Sequence, residues 1–135
     1  MIEEEITQGG LDFGALREAI EGKDPDALVG FYTEDAELRI VNAALPKGVA
    51  FELKGIWQIE RYLHAVCEQE MSCFVEEEFS REVVFDEESI TFREVCAYPE
   101  GSRISVETKL AIAEGRIIRQ TDVVQRAHRD ERSQR

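Results

Sequence analysis

The chain has 135 residues, 43% of them hydrophobic, enough for one domain that buries roughly two thirds of its unfolded surface. Twenty-nine acidic against sixteen basic residues give a formal net charge of −13, which argues against nucleic acid as a partner and disfavours an anionic membrane surface. No apolar run approaches the about twenty residues of a membrane span, and the acidic start MIEEEITQGG is unlike a signal peptide. Cys67, Cys73 and Cys96, odd in number and unpatterned, are expected to be reduced thiols of a cytoplasmic protein.

Residues 1–10 read as a flexible acidic leader, 11–126 as the domain and 127–135 as a flexible tail. Leu11, Phe13, Leu16, Ala19 and Ile20 recur at helical spacing and stop at Gly22. Asp24-Pro25 is a helix cap followed by proline at the first helical position, so a second helix is expected through Leu28, Val29, Phe31 and Tyr32. A strand follows at Ala36 to Asn42 with Leu38 and Ile40 inward, then a connection from Leu45 to Ala50 carrying Pro46 and Gly48, then an extended Phe51 to Lys54. After Gly55, the stripe Ile56, Ile59, Leu63 and Val66, widened by Tyr62 and Cys67, marks the best helix. Glu68 to Glu78 gives no clear period, although a strand could begin near Phe74. Strands are expected at Phe79–Phe85 and Ile90–Tyr98, separated by Asp86-Glu87-Glu88-Ser89. The order of three helices ahead of a run of antiparallel strands indicates an α+β domain.

The last hairpin carries most of the functional information. From Arg103 to Ala113, the residues Ile104, Val106, Thr108, Leu110 and Ile112 fall at every second position and define an inward face. The returning strand does not choose a face by composition, because Ile118, Gln120, Asp122 and Val124 are no more apolar than Ile117, Arg119, Thr121 and Val123. A three-residue loop at Ala113-Glu114-Gly115 would pair Val106 with Asp122 and turn Asp122 inward. A two-residue loop would turn it outward. At the preceding hairpin Pro99-Glu100-Gly101 fits a three-residue loop that sets Glu94 opposite Val106.

With both three-residue loops, Glu94, Val106 and Asp122 form one inward row, about 9.5 Å from end to end along a flat sheet. The rows beside it would be Phe92–Thr108–Gln120 and Cys96–Ile104–Val124. Two carboxylates in such apolar surroundings are costly to ionise, so at least one pKa should rise, as general acid–base chemistry requires. The plainer alternative is that a register slip exposes each carboxylate, or that an arginine pairs with it at the rim.

The chain resembles the nuclear-transport-factor-2-like superfamily, in particular its SnoaL-like branch. The resemblance rests on Asp24-Pro25-Asp26-Ala27-Leu28 through Phe31-Tyr32-Thr33-Glu34-Asp35-Ala36, on Gly55-Ile56…Ile59, and on Ala113-Glu114-Gly115-Arg116-Ile117. It implies a cone-shaped curved antiparallel sheet wrapped around three N-terminal helices, with a ligand pocket in the mouth, and often a dimer through the outer sheet face. The family includes ketosteroid isomerases, polyketide cyclases, limonene-epoxide hydrolases, dehydratases and non-catalytic binding modules, so the fold does not choose a function. Against ketosteroid isomerases, the base position is Ile40, the oxyanion acid is Thr108 and the first-helix tyrosine falls near Leu16, while only Tyr32 is kept. Against limonene-epoxide hydrolases, Asp122 matches the last-strand aspartate and Glu94 lies near the other. The arginine of that family is Phe92 here, its tyrosine and asparagine align around Leu38 and Ile40, and no cyclase-like histidine lies on the inner strands.

The expectation is therefore a protein that binds a mostly apolar small molecule. Asp122 would be base or water-positioner and Glu94 the partner acid, for cofactor-free isomerisation, cyclisation, dehydration or hydrolysis. Tyr32, Leu38, Ile40, Trp57, Tyr62, Phe92, Val106, Thr108 and Gln120 are expected to line the site, with no metal and no cofactor. Trp57 and the two tyrosines are as readily packing residues. His64, Cys67 and Cys73 lack a fourth ligand and a recognised zinc spacing, and His128 belongs to the tail. The rival from another class is a non-catalytic dimeric binding domain. A third is an interaction module that uses an outer face of Val95, Ala97, Ala111, Ile117 and Val123.

Overall fold

The computed structural model describes residues 10–42 and 49–126. Residues 1–9 of the expected leader, most of the Leu45–Ala50 connection, and the tail with His128 lie outside the described residues. The chain order is α1 (Phe13–Glu21), α2 (Pro25–Val29), β1 (Tyr32–Asn42), β2 (Val49–Lys54), α3 (Ile56–Cys67), β3 (Ser72–Val84), β4 (Glu87–Ala97), β5 (Arg103–Ala113) and β6 (Arg116–Arg126). The six strands form one unclosed sheet in the order β2-β1-β6-β5-β4-β3. Every pairing is antiparallel except β1 with β6, which is parallel. The sheet is thus mixed rather than purely antiparallel, because the last strand, β6, returns beside β1 and runs the same way.

Local chemistry sets the helix ends. Asp12 caps α1 by accepting the Ala15 N–H at 3.0 Å, and Asp24 caps α2 through the Ala27 N–H at 3.2 Å with Pro25 following. α2 stops at Gly30, so Phe31 and Tyr32 are not helical as the sequence suggested. Tyr32 opens β1 instead, and the Ile117 N–H donates to the Phe31 carbonyl at 2.8 Å. The Thr33-Glu34-Asp35 stretch is an irregularity within β1, where five residue steps from Tyr32 to Glu37 match two on β6. Gly55 starts α3 at φ 90°, a conformation that strains any residue with a Cβ, and its N–H donates to the Ala36 carbonyl at 2.8 Å.

Helix α1 lies over the inner face of the β3 end of the sheet. Phe13 stacks on Phe79 with ring centroids 4.2 Å apart and meets Phe92 edge-on at 5.2 Å. The start of the described chain is clamped there too. The Leu11 N–H donates to buried Glu88 at 3.2 Å, and Arg81 donates to the Leu11 carbonyl while pairing with Glu88 at 2.7 Å. At the other end α3 packs on β1 and β2, burying Ile59 and Leu63. The core joins these layers through Leu16, Leu38, Ile90, Leu110 and Ile112.

The hairpin turns decide which side chains face that core. The β4–β5 turn is as expected: the Tyr98 N–H donates to the Ser102 carbonyl, Gly101 takes φ 107°, and Glu94 faces Val106. The β3–β4 turn is shorter than expected, with Val84 opposite Glu87 and only Phe85-Asp86 between. The β5–β6 turn also corrects the sequence reading. Ala113 pairs with Arg116 across a two-residue turn in which Glu114 and Gly115 both have positive φ, 55° and 80°. The ladder then slips by one residue, from Ile112↔Ile117 to Ala111↔Arg119, which leaves Ile118 as a bulge. That extra residue restores the inward face for Asp122. It also buries Ile117 completely, which removes that side chain from the outer face where the sequence reading placed it.

Candidate functional site

Asp122 faces Thr108, not Val106, and the row on the inner face is Phe92–Thr108–Asp122. The adjoining rows are Glu94–Val106–Val124 and Ile90–Leu110–Gln120. Glu94 and Asp122 therefore stand diagonally, one row apart, rather than in a single row. The two-residue shift that moves the rows keeps the parity of the face, so both carboxylates remain inward.

Asp122 is 8% exposed and held on one oxygen by two donors, Thr108 Oγ1 at 3.0 Å and Gln120 Nε2 at 2.9 Å. The other end of the Gln120 amide accepts the Tyr32 hydroxyl at 2.6 Å. Burial pushes the Asp122 carboxyl up to about 6, and the two hydrogen bonds oppose that rise. Burial, and then the Asp122 charge, push the Glu94 carboxyl further, to about 8. Among the described residues no lysine or arginine pairs with either carboxylate. Tyr32 on β1 and Tyr62 on α3 share this electrostatic environment. Burial raises both phenols, and the Asp122 and Glu94 charges add to the rise. Burial and the neighbouring charge thus raise Glu94 above Asp122, and both phenols stay neutral at neutral pH.

The other expected lining residues divide. Leu38 and Ile40 lie in register with Gln120 and Asp122 across the β1–β6 ladder, both buried, and Val106 stands between Glu94 and Val124. Phe92 is on the right face, but Phe13 covers it as part of the core. Trp57 is 79% exposed and does not line the inner face. It lies two residues from Ile59, about 200° around a helix whose buried side is Ile59 and Leu63. Two clefts among the described residues, of about 140 Å³ between β2, β1 and β6 and about 470 Å³ between α1 and β3, are lined by neither Glu94 nor Asp122.

The cysteines differ from expectation. Cys73 and Cys96 face each other across the β3–β4 ladder and are joined as a disulfide, leaving Cys67 as the free thiol. The Cys96 sulfur lies 3.9 Å from Glu94 Oε1, so the bridge adjoins the candidate site. The sequence signal for this was the inward pair Cys73 and Val75, hidden because Glu76-Glu77-Glu78 interrupt the alternation. Those glutamates lie in a register shift, where four residue steps from Val75 to Phe79 match two on β4. Tyr98, read as the end of a strand beside the turn, also belongs to the electrostatic surroundings of Tyr62.

No protein-family model and no curated protein sequence matches the chain. Solved structures do. A candidate ketosteroid isomerase from Kribbella flavida is 14% identical over 87% of this chain and 77% of its own, with a TM-score of 0.62. A nuclear-transport-factor-2-like protein of unknown function from Mesorhizobium loti is 18% identical, with coverages of 83% and 86% and a TM-score of 0.61. A candidate polyketide cyclase from Xanthomonas campestris is 15% identical, with coverages of 82% and 85% and a TM-score of 0.57. The chain therefore has the nuclear-transport-factor-2-like fold, as the sequence resemblance implied. No helix among the described residues is long and apolar enough to cross a membrane.

Proposed function

We propose that this chain is a SnoaL-like protein that binds a mostly apolar small molecule and acts on it by cofactor-free general acid–base chemistry. Asp122 is the base or water-positioner and Glu94 the acid. The observation that carries this reading is the pair itself: two inward carboxylates one ladder row apart, with no basic partner among the described residues and pKa values pushed to about 6 and about 8. Separated pKa values divide the roles, since near pH 7 one group can take a proton and the other give one. Tyr62 supplies a neutral hydroxyl, while Leu38, Ile40 and Val106 give apolar walls. Isomerisation, cyclisation, dehydration and hydration all suit such a pair. A homodimer through the partly exposed outer residues Val95, Ala97, Ala111 and Val123 belongs to the same proposal.

The test uses the oxidised full chain in D₂O with a panel of β,γ-unsaturated ketones, β-keto esters and epoxides, followed by proton NMR for exchange next to the carbonyl and for product. Removal of a general base or acid should lower turnover about 10²–10⁴-fold. Unchanged exchange or turnover in Asp122→Asn and Glu94→Gln would sink the assignment. Two clefts lined by neither carboxylate, the smaller of them bordered by Leu38 and Gln120, favour the second reading, a binding domain without catalysis. That reading predicts saturable binding of the same compounds with neither exchange nor product.

A further inference from the structure

Next to Asp122 the inner face carries a second cluster, which shares Glu94 with the acid–base pair and adds two sulfurs that the proposed chemistry does not use. Cys73 and Cys96 are directly opposed on β3 and β4, with Cα atoms 4.0 Å apart. Glu94 sits two residues before Cys96 on the same face. The two sulfurs and a Glu94 carboxylate oxygen all lie within 4.8 Å of one another. We propose that reduction of the Cys73–Cys96 disulfide converts this cluster into a binding site for one thiophilic divalent cation of the Zn²⁺ type, held by both thiolates and the Glu94 carboxylate.

The donor set determines the class of metal. Two soft thiolates and one carboxylate suit zinc, or cobalt as its spectroscopic substitute, and are poor ligands for magnesium or calcium. Three protein ligands leave a fourth tetrahedral position for water, as in open rather than closed zinc sites. Zinc–sulfur bonds of about 2.3 Å hold two sulfurs about 3.8 Å apart in a tetrahedron, so the sulfurs have to separate from their bonded distance. Once the bond is broken, rotation about the two Cα–Cβ bonds lets the sulfurs move apart to the tetrahedral distance. A phosphine reduces the bridge: phosphine, disulfide and water give phosphine oxide and two thiols. Metal binding then releases both thiol protons and, below about pH 8, the Glu94 proton to solvent. The disulfide and the metal-bound forms exclude each other, because a sulfur in the bridge is no longer a thiolate.

This inference does not depend on the acid–base reading, and its readout is metal rather than turnover. The full chain is reduced with a phosphine, desalted without oxygen and titrated with Co²⁺. Competition with Zn²⁺ follows. We expect one Co²⁺ per chain, with thiolate-to-cobalt charge-transfer absorption, in the reduced chain and none in the oxidised chain. Cys73→Ser and Cys96→Ser should each weaken binding more than about a hundredfold, and Glu94→Gln at least about tenfold. Cys67→Ser should leave it unchanged. Absence of the absorption in the reduced chain, its loss in Cys67→Ser, or unaltered affinity in Glu94→Gln each overturns the site. If the reduced chain has lost structure, thermal unfolding followed by circular dichroism decides. Zn²⁺ should then restore the fold in the wild-type chain and not in Cys96→Ser, and failure to restore it overturns the site equally.

Discussion

Tyr32 and Asp122, at the start of β1 and just past the middle of β6, are joined through a single amide: the phenol donates to Gln120 Oε1 at 2.6 Å, and Gln120 Nε2 donates to Asp122 at 2.9 Å. The parallel β1–β6 pairing makes this possible, since it brings the first and last strands side by side. The link fixes which oxygen of Asp122 is committed to the protein.

Its two halves should respond differently to substitution. Gln120→Leu removes a donor that favours the charged carboxylate, so the Asp122 pKa should rise above about 6, read from its carboxyl carbon shift in an NMR titration. Tyr32→Phe leaves that donor in place and strands the amide oxygen. It should cost about 1–2 kcal/mol in urea unfolding and move the Asp122 titration less than Gln120→Leu does. Equal titration shifts in the two variants would mean that the amide is not held as described.

Turnover of any substrate found should follow a bell in pH. Its rate constant kcat/KM should rise through about 6 as Asp122 loses its proton and fall through about 8 as Glu94 loses its own. Asp122→Asn should remove the acidic limb together with most of the activity. Glu94→Gln should flatten the alkaline limb. A bell that keeps both limbs in Glu94→Gln would assign the upper limb to another group.

Much of this site was legible from turn chemistry, and its errors have identifiable causes. Pro99-Glu100-Gly101 set Glu94 opposite Val106 because the last turn position has φ 107°, open to glycine at little cost. Ala113-Glu114-Gly115 suits either loop length, and the deciding feature was the bulge at Ile118. Two adjacent isoleucines give no periodic sign of which is the extra residue. Asp122 was therefore placed on the correct face with the wrong partner. Tyr32 and Phe31 continue an apolar helical stripe as well as they begin a strand, and Gly30 ends the helix first. Trp57 marks a limit of another kind: composition gives an aromatic residue no side of the helix, whereas the positions of Ile59 and Leu63 do.

Stability should fall with alkali because of Glu94. Its folded pKa of about 8 lies above the ordinary 4.5, so between these values the folded chain binds more protons than the unfolded chain. Stability therefore declines as pH rises through this window and levels off above about 8. Glu94→Gln carries no such charge. Relative to the wild-type chain it should gain on the order of a few kcal/mol at pH 9, lessened by the partial exposure of Glu94, and the gain should vanish below pH about 4.5. Asp122 acts in the same direction between its ordinary 3.8 and about 6. Urea unfolding of both chains at acidic and alkaline pH measures the difference. A gain that does not change with pH would show that Glu94 keeps its charge when folded.

The Cys73–Cys96 bridge spans 23 residues of sequence and closes the open end of the β3–β4 hairpin. A loop of that length corresponds to about 3 kcal/mol of lost freedom in the unfolded chain. The ladder from Phe79 to Val84 already ties the same two strands nearer the turn, so residual hairpin structure in the unfolded chain should reduce the effect. Cys73→Ser, and phosphine reduction of the wild-type chain with a chelator present, should therefore lower stability by the same amount, about 2–3 kcal/mol in urea unfolding. Agreement between the two assigns the loss to the bridge. Reduction that leaves wild-type stability unchanged while Cys73→Ser still weakens the chain would assign it to the packing of the Cys73 side chain.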